Sequence, residues 1–389
     1  MAPDSLHFSY LLAAFAALSV AYMIFGYPLV LAFGNSRKSP PVAKDPAFQP
    51  SVTALVAVYN GESQIRRKLE VLLALDYPAD RYDIVIVSDG STDGTDAIVE
   101  EFAARTAGRV ALVRAPRGGK AAALNAAMSR LTGDLVFFTD VRQPLEPSVL
   151  RHLAANFADP AVGAVTGEMV LLRGDGGEQA DMDLYWRYEI WARTRQSEID
   201  SLFNTTGCVY AMRRALVQPL PPDTLTDDAV MPLRAFFQGY RVVFDPAAIA
   251  YDYPAVPGTE FRRRFRTLAG LWQVFVRFPA LFTGRNRMRL HFLSHKFSRL
   301  ALPWALLLLY AATLAMPGSL FRSGLLALEL VPPVLALLNS LIPAGFPLKR
   351  LSSPARTFLV MNAAALCAIF VFVLPPTWIW KPTSTGTAK

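Results

Sequence analysis

DIVIVSDGSTDGT, residues 83–95, is a short apolar run that stops at an aspartate and turns at once into polar, helix-opening residues. Ile84 to Val87 have the length and character of a buried strand, and Asp89, Gly90, Ser91 and Thr92 those of a strand-to-helix turn. The same arrangement recurs on both sides. VTALVAV (52–58), VALVRA (110–115) and LVFFTD (135–140) are each followed by a stretch of helical character. Short apolar strands spaced about a helix apart predict parallel βαβ units and a doubly wound, Rossmann-like α/β sheet. Ligands of such sheets bind outside the carboxyl ends of the strands.

Four strand ends therefore carry the candidate site. The first turns through Tyr59, Asn60, Gly61 and Glu62, and the second presents Asp89. The third supplies Gly118, Gly119, Lys120 and, further on, Asn125; the fourth presents Asp140 and Arg142. Each has a plain alternative. Asp89 can cap a helix beginning near Ser91. Gly118 to Lys120 can be an ordinary turn, without the spacing of a phosphate-binding P-loop. Asp140 can be a turn residue ahead of Pro144. Four polar, turn-rich strand ends in one sheet, each with a side chain able to touch a nucleotide, favour a common ligand site.

The rest of the chain points to a membrane. Of 389 residues, 53% are hydrophobic, more than an ordinary soluble domain carries. Residues 10–34 are long enough to cross a bilayer; the run is too long for a signal-peptide core and is followed by Arg37 and Lys38. An uncleaved helix with its N-terminus outside is expected. Further apolar runs span 300–316, 320–342 and 358–380, the second containing Pro332 and Pro333, the third ending at Trp378 and Trp380. The net charge of +8 is concentrated beside these runs, at Arg285, Arg287, Arg289, Lys296 and Arg299 and in an expected loop at Lys349, Arg350 and Arg356. That distribution fits a cytoplasmic membrane face and its anionic lipids, not a nucleic acid. Cys208 and Cys367 fit no metal or disulfide spacing. The expected organisation is a membrane helix (1–35), a linker (36–50), a cytoplasmic α/β domain (51–257), amphipathic interfacial helices (258–296), three membrane helices (297–380) and a tail (381–389).

In order, the stretches VAVYNGE, VSDGSTDGT, RGGKAAALNAA, FTDVRQ, GCVYAMRRAL, LTDDAVMPLRAFFQGYRVVFDPAAIAYD and FRRRFRTLAG cover more than half the chain. Together they resemble family 2 glycosyltransferases of the GT-A fold, in the membrane-bound branch of cellulose, hyaluronan and poly-N-acetylglucosamine synthases. The resemblance implies an inverting transferase at a bacterial-type inner membrane, using a nucleotide sugar, expected to be a UDP-sugar. Its acceptor would be a growing glycan or a lipid, and further synthase subunits could be partners. By the same resemblance, Asp89 would bind the nucleobase, with Tyr59, Asn60 and Glu62 lining its pocket. Lys120 and Asn125 would lie at the nucleotide sugar, and Asp140 would reach the diphosphate and a divalent metal, Mg2+ or Mn2+. LTDDA matches the family's Thr-Glu-Asp signature, making Asp228 the general base and Asp227 an acceptor-site residue beside Gly207 and Cys208. The aromatics Trp186, Tyr188 and Trp191 could stack on sugar or simply pack.

Two lines depart from the synthase pattern. Of the Gln-x-x-Arg-Trp signature only Arg266 remains, with Arg263 in the glutamine position and Thr267 in the tryptophan position. The loss of that tryptophan weakens the case for long-chain processive synthesis, while Arg263 and Arg266 still suit a diphosphate. Arg142 stands where a second aspartate would complete the metal pair. Either the metal is held by Asp140 alone among the protein's carboxylates, or Arg142 itself neutralises phosphate. Transfer of a single sugar to polyprenyl phosphate or diacylglycerol, and a catalytically inactive nucleotide-binding subunit, are the competing functions.

Overall fold

The computed structural model describes residues 3–33, 38–172, 178–252 and 260–374. Arg37, Tyr253, Trp378, Trp380, the tail and the side chain of Trp186 lie outside the described residues. The chain divides into two compact units, one of Arg37–Arg173 with Arg193–Pro254, the other of Met1–Ser36, Gly174–Ala192 and Ala255–Lys389.

The first unit is built on seven strands: β1 (Val52–Val58), β2 (Tyr82–Asp89), β3 (Val110–Ala115), β4 (Leu135–Phe138), β5 (Val162–Leu171), β6 (Tyr210–Arg213) and β7 (Arg241–Asp252). Their order is β3-β2-β1-β4-β6-β5-β7. The four strands expected from the sequence are present and mutually parallel. Helices cover both faces of such a sheet, which is why β1, β2 and β4 are apolar almost throughout and buried. The helix Glu62–Leu73 shows how the layers join: Ile65, Leu69 and Leu72 form its buried face, and so, unexpectedly, does Lys68.

The sheet departs from a purely parallel one at β6, which runs antiparallel to both β4 and β5. This reversal matters for the site. Phe138 at the end of β4 pairs with Tyr210 at the start of β6. The residues just after β4 and those just before β6 therefore lie at the same edge of the sheet, and the two rings stack at 4.6 Å.

The second unit is helical and, among the described residues, holds four helices long and apolar enough to cross a membrane: His7–Phe33, Arg289–Ala315, Leu320–Leu341 and Lys349–Phe372. Small residues allow close approach of the first two, Ala13 and Ala16 meeting Leu309, Ala312 and Met316. Two π-turns, Tyr22–Gly26 and Leu293–Phe297, interrupt these same helices. They carry a polar network in which Tyr22 bonds Ser294 at 2.7 Å and Tyr27 stacks on His295 at 5.6 Å. Glu189 accepts hydrogen bonds from His295 and Arg299, so these polar groups satisfy one another within an apolar unit.

Two boundaries differ from expectation. Residues 289–296, expected in the interfacial stretch, begin the second of these long apolar helices, continued through the π-turn into Ser298–Ala315. Lys349, Arg350 and Arg356 belong to a helix that starts at Lys349, not to a loop before residue 358. Long basic side chains tolerate this position because an aliphatic stem can lie on apolar surface while its head reaches a polar group. Lys349 does so on the Asn339 carbonyl at 2.8 Å. The amphipathic helix is present as Glu260–Arg277.

Candidate active site

At the end of β2, Asp89 is 3% exposed and accepts hydrogen bonds from the backbone N–H groups of Gly118 (2.8 Å) and Gly119 (3.0 Å). It also pairs with the Arg117 guanidinium. Asp89 is therefore no helix cap; the adjoining helix starts at Thr95. Its carboxylate holds the turn after β3 against the end of β2. Gly90 is required there, because its φ is +66° and a Cβ would lie 2.9 Å from the Arg117 nitrogen.

Asn60 and Glu62 fasten a second pair of loops. Asn60, itself left-handed at φ 47°, accepts from the Thr92 N–H at 2.8 Å, and Glu62 accepts from the Gly94 N–H at 3.0 Å. Tyr59 presents its ring, with the Arg117 guanidinium 3.8 Å from the ring centroid. Arg117 was not among the residues singled out from sequence, although it immediately precedes Gly118 and Gly119. A carboxylate, an aromatic face and a guanidinium thus converge between the first three strand ends, a combination suited to a planar base with N–H donors. Asn125 is engaged with the fold. Its amide both donates to and accepts from the Leu220 backbone, at 2.8 and 2.7 Å, tying that loop to the helix.

The second focus is Lys120. Its ammonium lies 2.9 Å from Asp140 and 3.2 Å from Asp227, joining the end of β4 to the start of the helix Asp227–Phe237. Burial opposes charge on Lys120, but Asp140 and Asp227 outweigh it and hold its pKa above the ordinary lysine value. For Asp140 too, burial is overcome by the neighbouring ammonium, and the carboxyl is held below its usual range. Asp227 is 7% exposed and accepts a further bond from Tyr210 at 3.3 Å. Burial, reinforced by Asp227, keeps Tyr210 a phenol able to donate that bond.

Asp228 is only partly buried, in the first turn of the same helix, where the helix dipole favours a carboxylate. Gly207 faces it: a Cβ at Gly207 would sit 3.5 Å from the Asp228 carboxylate. Thr205 fixes this loop by donating its N–H and hydroxyl to the Asp228 carbonyl, at 2.8 and 2.9 Å. Cys208 is buried, and burial, with the nearby charge of Asp140, pushes its thiol up to about 12. A thiol so protonated is packing, not a nucleophile.

Arg142 donates to Asp252 at 2.9 Å, and the Asp252 side chain is 1% exposed. The guanidinium that replaces the second aspartate is thus committed on one side to a buried carboxylate. Restoring an acidic residue would set two carboxylates against each other. Arg142→Asp is expected to destabilise the protein by about 3 kcal/mol or more. Thermal unfolding of the purified protein checks this, and an unchanged melting temperature would show that the pair carries no weight.

Lys68 lies beneath the same loop, 2% exposed, donating to the Thr139 hydroxyl and the Gln143 carbonyl, each at 2.8 Å. Burial lowers its pKa to about 7 despite the favourable charge of Asp140. An unfolded lysine titrates near ~10.4, so between these values the unfolded chain holds the extra proton and stability gained at this site rises with pH. The stability difference between wild type and Lys68→Met should therefore shift in favour of wild type as pH rises from about 7 to about 9, by up to ~1.4 kcal/mol per pH unit. Denaturant unfolding at both ends of that range measures it; a flat difference would contradict the assignment.

The donor set at Asp140 and Asp227 is compatible with a hard divalent ion, since two oxygen ligands already converge on one cation. Among the described residues no three His, Cys, Asp or Glu side chains gather as a metal site. The protein would thus supply one or two ligands, as is usual for ions that complete their shell with phosphate and water. Arg263 and Arg266 lie on the helix Glu260–Arg277 of the helical unit. There Tyr188 packs against Trp191 and His295, at 6.0 and 6.5 Å between ring centres.

The sequence of residues 53–220 matches the family described as Glycosyl transferase family 2, and residues 143–374 match Glycosyl transferase family group 2. The chain is 26% identical over 301 residues to the "Probable glycosyltransferase YdaM" of Bacillus subtilis, covering 72% of this chain and 70% of that protein. It is 30% identical over 204 residues to the "Beta-monoglucosyldiacylglycerol synthase" of Synechocystis, covering 50% of this chain and 42% of that one. Against the "Poly-beta-1,6-N-acetyl-D-glucosamine synthase" of Staphylococcus aureus it is 26% identical over 231 residues, 58% of this chain and 53% of the other. In three dimensions it is similar to a mannosyltransferase from Pyrobaculum calidifontis, solved in complex with GDP-Man and Mn2+. That superposition has a TM-score of 0.72 and 29% identity, and covers 93% of this chain and 99% of the other. With an α/β sheet of this topology and a family match over more than half its length, the chain is a family 2 glycosyltransferase.

Proposed function

We propose that this protein transfers a sugar, with inversion, from a nucleotide sugar to a hydroxyl of a glycan or lipid acceptor at the cytoplasmic face of a bacterial-type inner membrane. The observation that carries the reading is the joining of Asp140 and Asp227 through Lys120, with Asp228 partly exposed on the adjoining turn. Tyr59, Asp89 and Arg117 would hold the base, with Asn60 and Glu62 fixing the pocket wall. Lys120 would balance the diphosphate, and Arg142 would add a second positive charge from its place on Asp252. Asp140 would hold a Mg2+ or Mn2+ ion, which when bound neutralises the charge that develops on the departing diphosphate. Asp228 would take the proton of the acceptor hydroxyl as its oxygen attacks the anomeric carbon. Because the nucleoside diphosphate leaves from the opposite side, an α-linked donor yields a β-linked product. The four apolar helices support attachment to a membrane.

A UDP-sugar is the donor implied by the sequence resemblance. A GDP-sugar is the second reading, supported by likeness to a mannosyltransferase solved with GDP-Man and Mn2+. Either base offers N–H donors to Asp89. Purified protein incubated with UDP- and GDP-sugars, with divalent ion and with excess chelator, separates these cases by the diphosphate released. Turnover unchanged by chelator would overturn the metal at Asp140. Relatives named for a glucosyldiacylglycerol and for a polysaccharide leave both acceptor classes in play. Labelled donor supplied to membranes distinguishes them: label extracted with the lipids marks a lipid acceptor, label in insoluble material a polymer.

A further inference from the structure

We propose that the Lys120 ammonium is the resident counter-ion of the Asp140–Asp227 carboxylate pair, and that it and a divalent metal exclude one another there until a diphosphate draws the lysine away. The ammonium lies 2.9 Å from the Asp140 Oδ1 atom and 3.2 Å from the Asp227 Oδ1 atom. A divalent ion bound to the same Asp140 oxygen at about 2.1 Å would stand within a few ångströms of that ammonium. At such range repulsion between a double and a single positive charge opposes joint occupancy. The oxygen lone pairs are also contested, since Asp227 already accepts from Tyr210 and Lys120.

The lysine is free to leave. Its stem is flexible and its side chain is 28% exposed. Only the side chain has to move, because the preceding Gly119 stays anchored to Asp89 through its N–H while the space beside it is open. A diphosphate offers the ammonium new oxygen partners and offers the metal the ligands that the protein lacks. Lys68 stays hydrogen-bonded to Thr139 and Gln143 beneath Asp140 when Lys120 departs, so the loop after β4 keeps its support. Metal loading would thereby be coupled to donor binding, and the nucleotide-free protein would discriminate against free metal.

The inference rests on the glycosyl-transfer reading only for the diphosphate, and its test needs neither donor nor turnover. Full-length protein in lipid nanodiscs is titrated with Mn2+ in the absence of nucleotide, free ion being read by electron paramagnetic resonance. Lys120→Met is expected to bind Mn2+ at least about tenfold more tightly than wild type, since it removes the competing charge. Lys120→Arg, which keeps the charge, is expected to bind as wild type does. Adding Asp140→Asn to Lys120→Met should abolish the gain. Equal or weaker Mn2+ binding by Lys120→Met overturns the proposal. Should that variant not fold, lysine acetylation of wild type read by peptide mass spectrometry decides it. Mn2+ should raise modification of Lys120, and unchanged or lower modification overturns the exchange. Absence of transfer from every donor would defeat the proposed function and leave this titration intact.

Discussion

Asp228→Asn is expected to lower the turnover rate by about 10²- to 10⁴-fold, the usual contribution of a positioned general base. The amide is nearly isosteric and keeps the helix turn, but it cannot accept a proton. The backbone carbonyl of residue 228 still receives both bonds from Thr205, so the loop of Gly207 should stay in place. Donor affinity and melting temperature should therefore change little. Steady-state kinetics with saturating donor, beside direct nucleotide binding, separates these quantities. Full turnover in the variant would remove Asp228 from the chemistry. Zero turnover in wild type as well, with any donor, would instead favour an inactive nucleotide-binding subunit. Asp227→Asn should behave differently. Asp227 is buried between Lys120 and Tyr210, so its loss should disturb the joint between sheet and helix and lower stability along with activity.

The second large effect is expected at Asp89. Asp89→Ala removes a carboxylate that receives two backbone N–H groups and a guanidinium, each a charge-assisted bond of about 1.5–3 kcal/mol. The turn of Gly118 and Gly119 loses its anchor, Arg117 loses one partner, and, on the proposed reading, the base loses its acceptor. A fall of about 10²-fold or more in kcat/KM, carried mainly by donor KM, is the expected outcome. Asp89→Asn keeps one acceptor oxygen and should fall between wild type and alanine. A donor KM unchanged in Asp89→Ala would show that the carboxylate serves only the turn. Arg117→Ala provides the complementary measurement, because it spares the turn and removes the cation lying over Tyr59.

Much of this could be read from the chain itself. Apolar runs of strand length ending in Asp89 and Asp140 announce a sheet with polar carboxyl ends, since local hydrophobicity and turn chemistry are one-dimensional properties. Long apolar runs announce membrane-length helices for the same reason. Their limits were less legible. A helix can carry basic residues at its end, so Lys349 and Arg350 lie inside one where a charge pattern alone predicts a loop. Arg117 escaped notice because arginine before a glycine pair has no local signature. Its meaning arises only when the turn after β3 folds over Tyr59.

Sequence by itself determined the class of fold, the strand ends that bear the polar residues, and the membrane-length helices. These depend on residues near one another along the chain. Only the tertiary structure decided what those residues do to each other. The direction of β6 depends on its neighbours β4 and β5, and that reversal brings the loop of Gly207 and Cys208 to the edge that carries Asp140. Lys120 meets Asp140 across 20 residues and Asp227 from a still more distant part of the chain, and Arg142 meets Asp252 across 110. Charges so far apart in sequence have no mutual energy until folding brings them within a few ångströms in a partly desolvated place. For that reason Arg142 reads as a missing aspartate in the sequence and as half of a buried ion pair in the fold.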